Sequence, residues 1–85
     1  MAKQGDTIRR DDAIINLVGH NIKKYRKLHK LTIEQLAFKM NVDYKQLWNL
    51  EHGAVDTNLT MLNLVATTLN IDICKLFDAN SPNLK

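Results

Sequence analysis

With 85 residues, the chain is long enough for one small domain with a single hydrophobic core. Hydrophobic residues make up 45% of it and charged residues 25%, which is the composition of a globular domain rather than of a disordered segment. The one cysteine, Cys74, cannot form an internal disulfide, and the three histidines stand at no metal-ligand spacing. No apolar run is long enough to cross a membrane, so we expect a soluble, cytoplasmic protein without a metal or a cofactor.

Positive charge is concentrated in the middle third of the chain. Residues 23–53 carry seven basic and three acidic side chains, whereas residues 1–22 are balanced and residues 54–85 carry two bases against three acids. Such a segment fits a polyanionic partner, although the same charges could also form a solvated surface.

The apolar periodicity predicts a compact all-α bundle of five helices, near residues 12–29, 32–40, 43–51, 58–69 and 72–78. In the first helix, the positions expected to face inward are Ile14, Ile15, Val18, Ile22, Tyr25 and Leu28. In the last two helices they are Leu59, Leu62, Val65, Ala66, Leu69, Ile73, Leu76 and Phe77, with Cys74 as a small apolar residue. We expect residues 1–11 to be a flexible arm, residues 12–79 to be the domain and residues 80–85 to be a tail.

Capping residues mark the ends of these helices. Thr32 is followed three residues later by Gln35, which is the capping-box pattern. The N-caps expected for the third, fourth and fifth helices are Asp43, Asn58 and Asp72. Asn41 interrupts the second helix and Gly53 ends the third, so a joint of about three residues connects two short amphipathic helices.

This joint is the distinctive part of the pattern. The segment LTIEQLAFKMNVDYKQLWNLEHG, residues 31–53, resembles the helix-turn-helix of the lambda-repressor-like DNA-binding family, also described as Cro/repressor-type or xenobiotic-response-element-like. The segment LNLVATTLNIDICKLF, residues 62–77, is similar to the fourth and fifth helices of that family. Ala37 stands where the two helices cross closely, and Asn41 holds a turn position that needs a left-handed backbone. The matching set is Leu36, Ala37, Asn41, Val42, Leu47, Leu50, Glu51 and Gly53.

The resemblance implies a buried ion pair and a surface that reads DNA. Arg26 and Glu51 stand where the family places the two partners of that pair. The implied base-reading positions are Tyr44, Lys45 and Asn49, with Trp48 beside them. Lys45 has the chemistry to donate to guanine O6 and N7, and Asn49 to pair with adenine N6 and N7. Phosphate contacts are expected from Thr32, Ile33, Lys39, His52, Gly53 and Ala54.

Trp48 is the residue whose role the sequence leaves open. If residues 43–51 form a helix, Trp48 lies away from the inward-facing Leu47 and Leu50. Its ring could cover Tyr44 or Lys45, could contact sugar-phosphate or a base methyl group, or could take part in a protein interface.

We therefore expect a sequence-specific regulator of transcription that binds double-stranded DNA, of the repressor or restriction–modification and mobile-element controller type. A palindromic operator and a homodimer are expected, with the dimer surface around the fifth helix at Ile73, Phe77 and Leu84. No enzyme activity, small-molecule ligand or membrane partner is expected. The alternative is a protein-interaction helix bundle, antitoxin-like or anti-regulator, that keeps the fold without specific DNA binding.

Overall fold

The structure, a computed structural model, describes residues 10–79 and contains four α-helices: α1 (Asp12–Leu28), α2 (Ile33–Met40), α3 (Tyr44–Glu51) and α4 (Leu59–Leu69). Each lies within one residue of its predicted ends, because the prediction counted residues at the caps as helical. The described residues contain no β-strand, so the all-α fold class is confirmed. None of the helices in this part of the chain is long and apolar enough to span a membrane.

The fifth predicted helix is a 3₁₀ helix over Ile73–Phe77, so the prediction of a fifth α-helix was wrong. Its backbone bonds join residues three apart, as between the Lys75 amide and the Asp72 carbonyl at 2.9 Å. Five residues allow few of the longer α-helical bonds, and short pieces of this kind commonly adopt the tighter helix. The Cys74 amide donates to the Asp72 carboxylate at 2.9 Å, which holds the pKa of Asp72 below its ordinary value. The Cys74 side chain is exposed, so it does not serve as the small apolar packing residue that the sequence predicted.

Three of the four α-helices have an N-cap residue whose side chain accepts a hydrogen bond from a backbone amide of the first turn. The capping box at α2 is complete: Thr32 Oγ1 accepts from the Gln35 amide at 3.0 Å, and Gln35 Oε1 accepts from the Thr32 amide at 2.8 Å. Asp11 and Asn58 cap α1 and α4 through their side chains. Asp43 occupies the N-cap position of α3, but its carboxylate makes no capping bond, so its predicted capping role was wrong.

All four α-helices end in the same kind of turn. A residue with left-handed backbone follows each helix, namely Lys30 (φ 58°), Asn41 (φ 60°), Gly53 (φ 68°) and Asn70 (φ 57°). Its amide bonds to the carbonyl three residues earlier, and the next amide bonds to the carbonyl five residues earlier. This is the Schellman arrangement, which satisfies the last carbonyls of a helix. The left-handed turn expected at Asn41 is confirmed, whereas Lys30 carries a Cβ at a position that glycine would occupy more readily.

The core lies between α1, α2, α3, α4 and the 3₁₀ helix. Its most deeply buried apolar side chains are Ile22, Leu36, Leu47, Val65, Leu69 and Leu76. Four residues expected to face inward are instead exposed: Ile14 by 38%, Phe77 by 39%, Leu28 by 55% and Leu59 by 73%. Leu28, Leu59 and Phe77 are terminal residues of their helices, and Ile14 lies in the first turn of α1, so each stands near the end of an element. Periodicity alone does not reveal how far a neighbouring element extends.

A buried asparagine attaches the 3₁₀ helix to α1. The Asn21 side chain is 1% exposed, and its Nδ2 donates to the Leu76 carbonyl at 2.9 Å and to the Asp78 carbonyl at 3.3 Å. Because a short 3₁₀ helix leaves carbonyls without internal donors, these two bonds supply part of what its C-terminal end lacks.

Gly19 allows α1 to cross the C-terminal end of α3 at close range. A Cβ built on Gly19 would lie 2.7 Å from the carbonyl oxygens of both Leu50 and Glu51. Both obstacles are backbone atoms, which do not move as a flexible side chain does. The close approach at Gly19 therefore sets the position of α3 against α1.

Arg26 and Glu51 form the ion pair that the resemblance implies. Arg26 Nε lies 2.6 Å from Glu51 Oε2, and Arg26 Nη2 lies 3.0 Å from Glu51 Oε1, so the contact is bidentate. Arg26 Nη1 also donates to the Leu31 carbonyl at 2.7 Å. The two side chains are 8% and 0% exposed. One guanidinium thus joins α1, α3 and the turn before α2.

Removal of the Glu51 carboxylate should destabilise the fold strongly. We expect Glu51→Ala to lower the free energy of unfolding by about 3–5 kcal/mol, because it leaves the Arg26 charge buried without its partner. The measurement is urea denaturation followed by circular dichroism. The double variant Arg26→Met with Glu51→Leu should lose much less than the two single changes together, because it leaves no buried charge. Unchanged stability in Glu51→Ala would contradict the structural role of the pair.

Replacement of Lys30 by glycine should stabilise the protein. Lys30→Gly removes the Cβ from a left-handed backbone, where it costs about 1 kcal/mol or more. The melting temperature should rise by about 4–8 °C for a domain of this size. Lys27→Gly, at an exposed position inside α1, is the matched control and should lower the melting temperature. Equal effects of the two changes would show that the strain at Lys30 does not limit stability.

Candidate nucleic-acid interface

The sequence of α3 divides the helix into an inward and an outward side. Leu47, Leu50 and Glu51 are buried against the rest of the domain. The outward side carries Tyr44, Lys45 and Trp48, which are exposed, and Asn49, which is partly buried. The left-handed turn at Asn41 and the close-packed Ala37 fix the angle at which α3 leaves α2. Because α3 has eight residues, or about 12 Å of length, its outward side is short enough to fit within one major groove.

An open groove separates the N-terminal ends of α2 and α3. It is lined by Arg26, Thr32, Ile33, Glu34 and Tyr44. The first amides of α2 have no acceptor within the helix, and they point out of its N-terminal end. The Thr32 amide, in contrast, is occupied by Gln35. The donors available to an anion here are therefore the Thr32 hydroxyl and the amides that follow it, beginning with Ile33.

Trp48 stacks on His52 rather than on Tyr44 or Lys45. The two ring centroids are 3.8 Å apart and the ring planes meet at 11°. His52 Nδ1 lies 2.8 Å from the Trp48 carbonyl oxygen, so the backbone holds the imidazole in this position. The sequence left open whether Trp48 covers Tyr44 or Lys45, and the ring contact in the structure is with His52. Its spacing of four residues from His52 was the available signal, because residues four apart on a helix are neighbours.

The amides after α3 are already used inside the protein. The His52 amide donates to the Trp48 carbonyl at 3.1 Å, the Gly53 amide to Leu50 at 3.4 Å and the Ala54 amide to Asn49 at 2.9 Å. The sequence led us to expect phosphate contacts from this backbone. With the three amides engaged in the helix end, the nitrogen left on residues 52–54 is His52 Nε2. Because Nδ1 donates to the Trp48 carbonyl, Nε2 is a donor only when the ring is doubly protonated.

Arg10 is a functional candidate that the sequence analysis did not single out. Its Nη2 donates to the Gly53 carbonyl at 2.7 Å, and its Nε bonds to Asp12 Oδ1 at 2.7 Å. The Asp11 side chain caps α1. These two residues of the predicted arm are thus held by contacts, and residues 1–9 lie outside the described part of the chain. Arg10 belongs to no periodic pattern or motif, so the sequence does not indicate that it contacts Gly53, 43 residues away.

Lys39 lies at the other end of α2 and is exposed there. Beside it stands Phe38, whose side chain is 87% exposed, the largest exposed fraction among the described large hydrophobic residues. Phe38 borders a shallow depression with Leu31, Glu34, Gln35 and Lys39. The outer side of α2 therefore combines a cation with an aromatic ring.

A family model described as helix-turn-helix matches residues 22–76, which include both helices of the joint and the 3₁₀ helix up to Leu76. The HTH-type transcriptional regulator SlrR of Bacillus subtilis (strain 168) is 36% identical over an alignment of 67 residues, and the match covers 76% of this chain and 43% of SlrR. The chain thus spans less than half the length of that relative.

Solved structures show the same architecture. The restriction-modification controller protein C.AhdI from Aeromonas hydrophila matches with a TM-score of 0.73 at 28% identity, over 76% of this chain and 98% of C.AhdI. The clp gene regulator ClgR from C. glutamicum matches with a TM-score of 0.71 at 21% identity, over 74% of this chain and 82% of its own, which shows the fold alone. By the length of the family match and by its identity to SlrR, the chain belongs to the lambda-repressor-like helix-turn-helix family of DNA-binding transcription regulators.

Proposed function

We propose that this chain is a sequence-specific transcriptional regulator that binds a palindromic operator in double-stranded DNA as a homodimer. The observation that carries the proposal is the outward side of α3, where Tyr44 and Lys45 are exposed at the end of a rigid joint. A short helix held in this way can enter the major groove with its N-terminal residues against the base edges.

Base reading is assigned to Tyr44, Lys45 and Asn49. The Lys45 ammonium is a donor suited to guanine O6 and N7, and the Asn49 amide can pair with adenine N6 and N7. Tyr44 also lines the groove beside Thr32, so its hydroxyl can serve a phosphate while its ring contacts a thymine methyl group. Trp48, stacked on His52, stands at the C-terminal edge of this surface and can contact sugar or a base methyl group.

Phosphate binding is assigned to both sides of α3. Thr32, the Ile33 amide and Lys39 belong to α2, where the helix N-terminus and the lysine both favour anions. On the other side we assign His52 in its doubly protonated form, in which Nε2 donates while Nδ1 keeps its bond to the Trp48 carbonyl, because the amides of Gly53 and Ala54 are engaged in the end of α3. Those two residues then shape the loop beside the phosphate rather than donate to it.

Loss of two base readers should abolish sequence discrimination without harming the fold. Each good pair with a base is worth about 1–3 kcal/mol, so Lys45→Ala with Asn49→Ala should reduce the preference for the operator over random DNA at least about thirtyfold. The operator is first obtained by selection of bound duplexes from a random pool, and competition binding then measures the preference. Lys75→Ala with Asn63→Ala, exposed residues on other elements, is the matched control and should retain it.

The selection also separates the proposal from a protein-interaction bundle. A palindromic consensus supports a twofold regulator, whereas no enrichment over random DNA at moderate salt contradicts specific reading. DNA binding should weaken steeply as salt rises, because bound phosphates release their counterions. Binding of a protein partner through exposed aromatic residues such as Phe38 would respond much less.

A homodimer is supported by an apolar patch on the side of the domain that holds the 3₁₀ helix. Ile14, Val55 and Phe77 are each 38–39% exposed and line one cavity of about 100 Å³, with Leu62 at its base. Of the residues expected at the dimer surface, Phe77 belongs to this patch. Ile73 packs partly against the core, and Leu84 lies outside the described residues. We assign the patch to a second copy of the chain, since a twofold operator requires one.

Disruption of this patch should release monomers. Phe77→Ser should weaken dimer formation at least tenfold, because the buried aromatic area at the centre of such a patch dominates its energy. Sedimentation equilibrium over a range of concentrations is the measurement. Phe38→Ser removes an aromatic ring that is more exposed but lies on α2, and it should leave the dimer constant unchanged. Dissociation by Phe38→Ser and not by Phe77→Ser would place the interface on α2 instead.

A further inference from the structure

The exposed side of α1 carries a line of basic and polar residues outside the helix-turn-helix. Asn16, His20, Lys23 and Lys27 are all exposed, and they recur at intervals of four, three and four residues. That spacing places them on one face of an α-helix. We call His20, Lys23 and Lys27 the α1 basic strip. From His20 to Lys27 the strip is about 10 Å long, from the rise of 1.5 Å per residue.

The strip borders a surface depression of about 170 Å³ whose four lining residues, His20, Lys23, Lys24 and Lys27, are all basic. Lys24 differs from the others because it is 5% exposed and its Nζ lies 4.9 Å from the centre of the Tyr25 ring. Lys23 and Lys27 therefore supply the accessible permanent charge. Positive charges placed in a row beside a depression raise the local potential for an anion.

The strip continues from the end of α3. Gly19, one residue before His20, touches the backbone carbonyls of Leu50 and Glu51. Nearer the start of α1, Asn16 lies against Gly53, whose carbonyl accepts from Arg10. A basic and polar surface thus runs from Arg10, past the loop that follows α3, and along α1 to Lys27.

We propose that the α1 basic strip binds the phosphate backbone of the same duplex, beyond the base pairs that α3 reads. This inference rests on the proposed function. The strip presents two permanent charges, those of Lys23 and Lys27, so it can neutralise about two phosphates of one strand. The protein would then occupy a longer stretch of DNA than α3 alone could contact.

The composition of the strip favours DNA over an acidic protein. Protein interfaces usually have an apolar or aromatic centre with a polar rim. None of the residues that line this depression is apolar. The exposed large hydrophobic side chains of α1, Ile14 and Leu28, lie outside the strip, six residues before His20 and one residue after Lys27 in the sequence. Binding here would be electrostatic and independent of sequence, as contacts to phosphate are.

The test uses the full chain and two duplexes that contain the selected operator. One duplex ends at the outermost base pairs of the consensus, and the other extends by ten base pairs on each side. Binding of the wild type and of Lys23→Gln with Lys27→Gln is measured over a range of salt concentrations. On the long duplex, the slope of the logarithm of the binding constant against the logarithm of the salt concentration should be smaller for the double variant by about one unit for each lysine. This is about two units per bound protomer. On the short duplex the two proteins should have the same slope.

Two control variants keep the result interpretable. Lys23→Arg with Lys27→Arg retains the charges and should keep the slope of the wild type on the long duplex. Lys75→Gln removes one exposed charge from the 3₁₀ helix and should change the slope on neither duplex. Thermal unfolding of each variant shows whether the fold is intact.

Each contrary outcome identifies what has failed. Equal slopes for the wild type and Lys23→Gln with Lys27→Gln on the long duplex would overturn the strip as a DNA contact, while operator binding by the wild type would leave the proposed function standing. An equal loss on both duplexes would place the strip within the operator and overturn the extended contact. If the wild type binds no duplex selectively, the proposed function fails, and this inference fails with it.

Discussion

The bidentate contact between Arg26 and Glu51 is the interaction on which the position of α3 depends. Arg26 also holds the Leu31 carbonyl, so one planar guanidinium fixes the end of α1, the last residue of α3 and the turn that leads into α2. A lysine at this position would offer a single point charge and could not make the same set of directed bonds. Burial makes the arrangement costly to disturb, because loss of either partner leaves a charge in the protein interior. The ion pair therefore sets geometry more than it adds net stability.

Short helices explain why that geometry needs support from several sides. Helices α2 and α3 have eight residues each, fewer than an isolated helix needs to be stable in water. Their shape comes from their ends and their contacts: the capping box at Thr32, the left-handed turns at Asn41 and Gly53, and the crossing at Gly19. A change at any of these sites should shift α3 as a unit, so under the proposed function it should alter DNA binding without replacing a residue proposed to contact DNA. Substitutions in the core of such a domain should consequently appear as losses of specificity.

The sequence predicted the helices and their ends well, and it predicted the contacts between residues distant in the chain less well. Helix ends depend on caps and glycine or asparagine turns, which are local signals, and so the bounds were within one residue for all four α-helices. The 3₁₀ helix was predicted as an α-helix because periodicity over five residues does not distinguish the two. Contacts between distant residues, such as Arg10 with Gly53 and Asn21 with Leu76, have no local signature and required coordinates. The ion pair of Arg26 with Glu51 is the exception, since the family resemblance supplied it.

DNA-binding proteins combine sequence-specific contacts to bases with sequence-independent contacts to phosphates. In the described part of this chain most exposed lysines lie away from the residues proposed to read bases. The outward side of α3 has one lysine, and the other residues proposed to read bases are neutral, so the proposed specificity depends on hydrogen-bond geometry. Other exposed lysines lie on neighbouring elements, at Lys39 on α2 and at Lys23 and Lys27 on α1. Because affinity from phosphate contacts is independent of sequence, the proposed phosphate contacts of these lysines could change without altering which operator the proposed readers select. Under the proposed function, the fold would allow affinity and specificity to be adjusted separately, as long as the core keeps α3 in place.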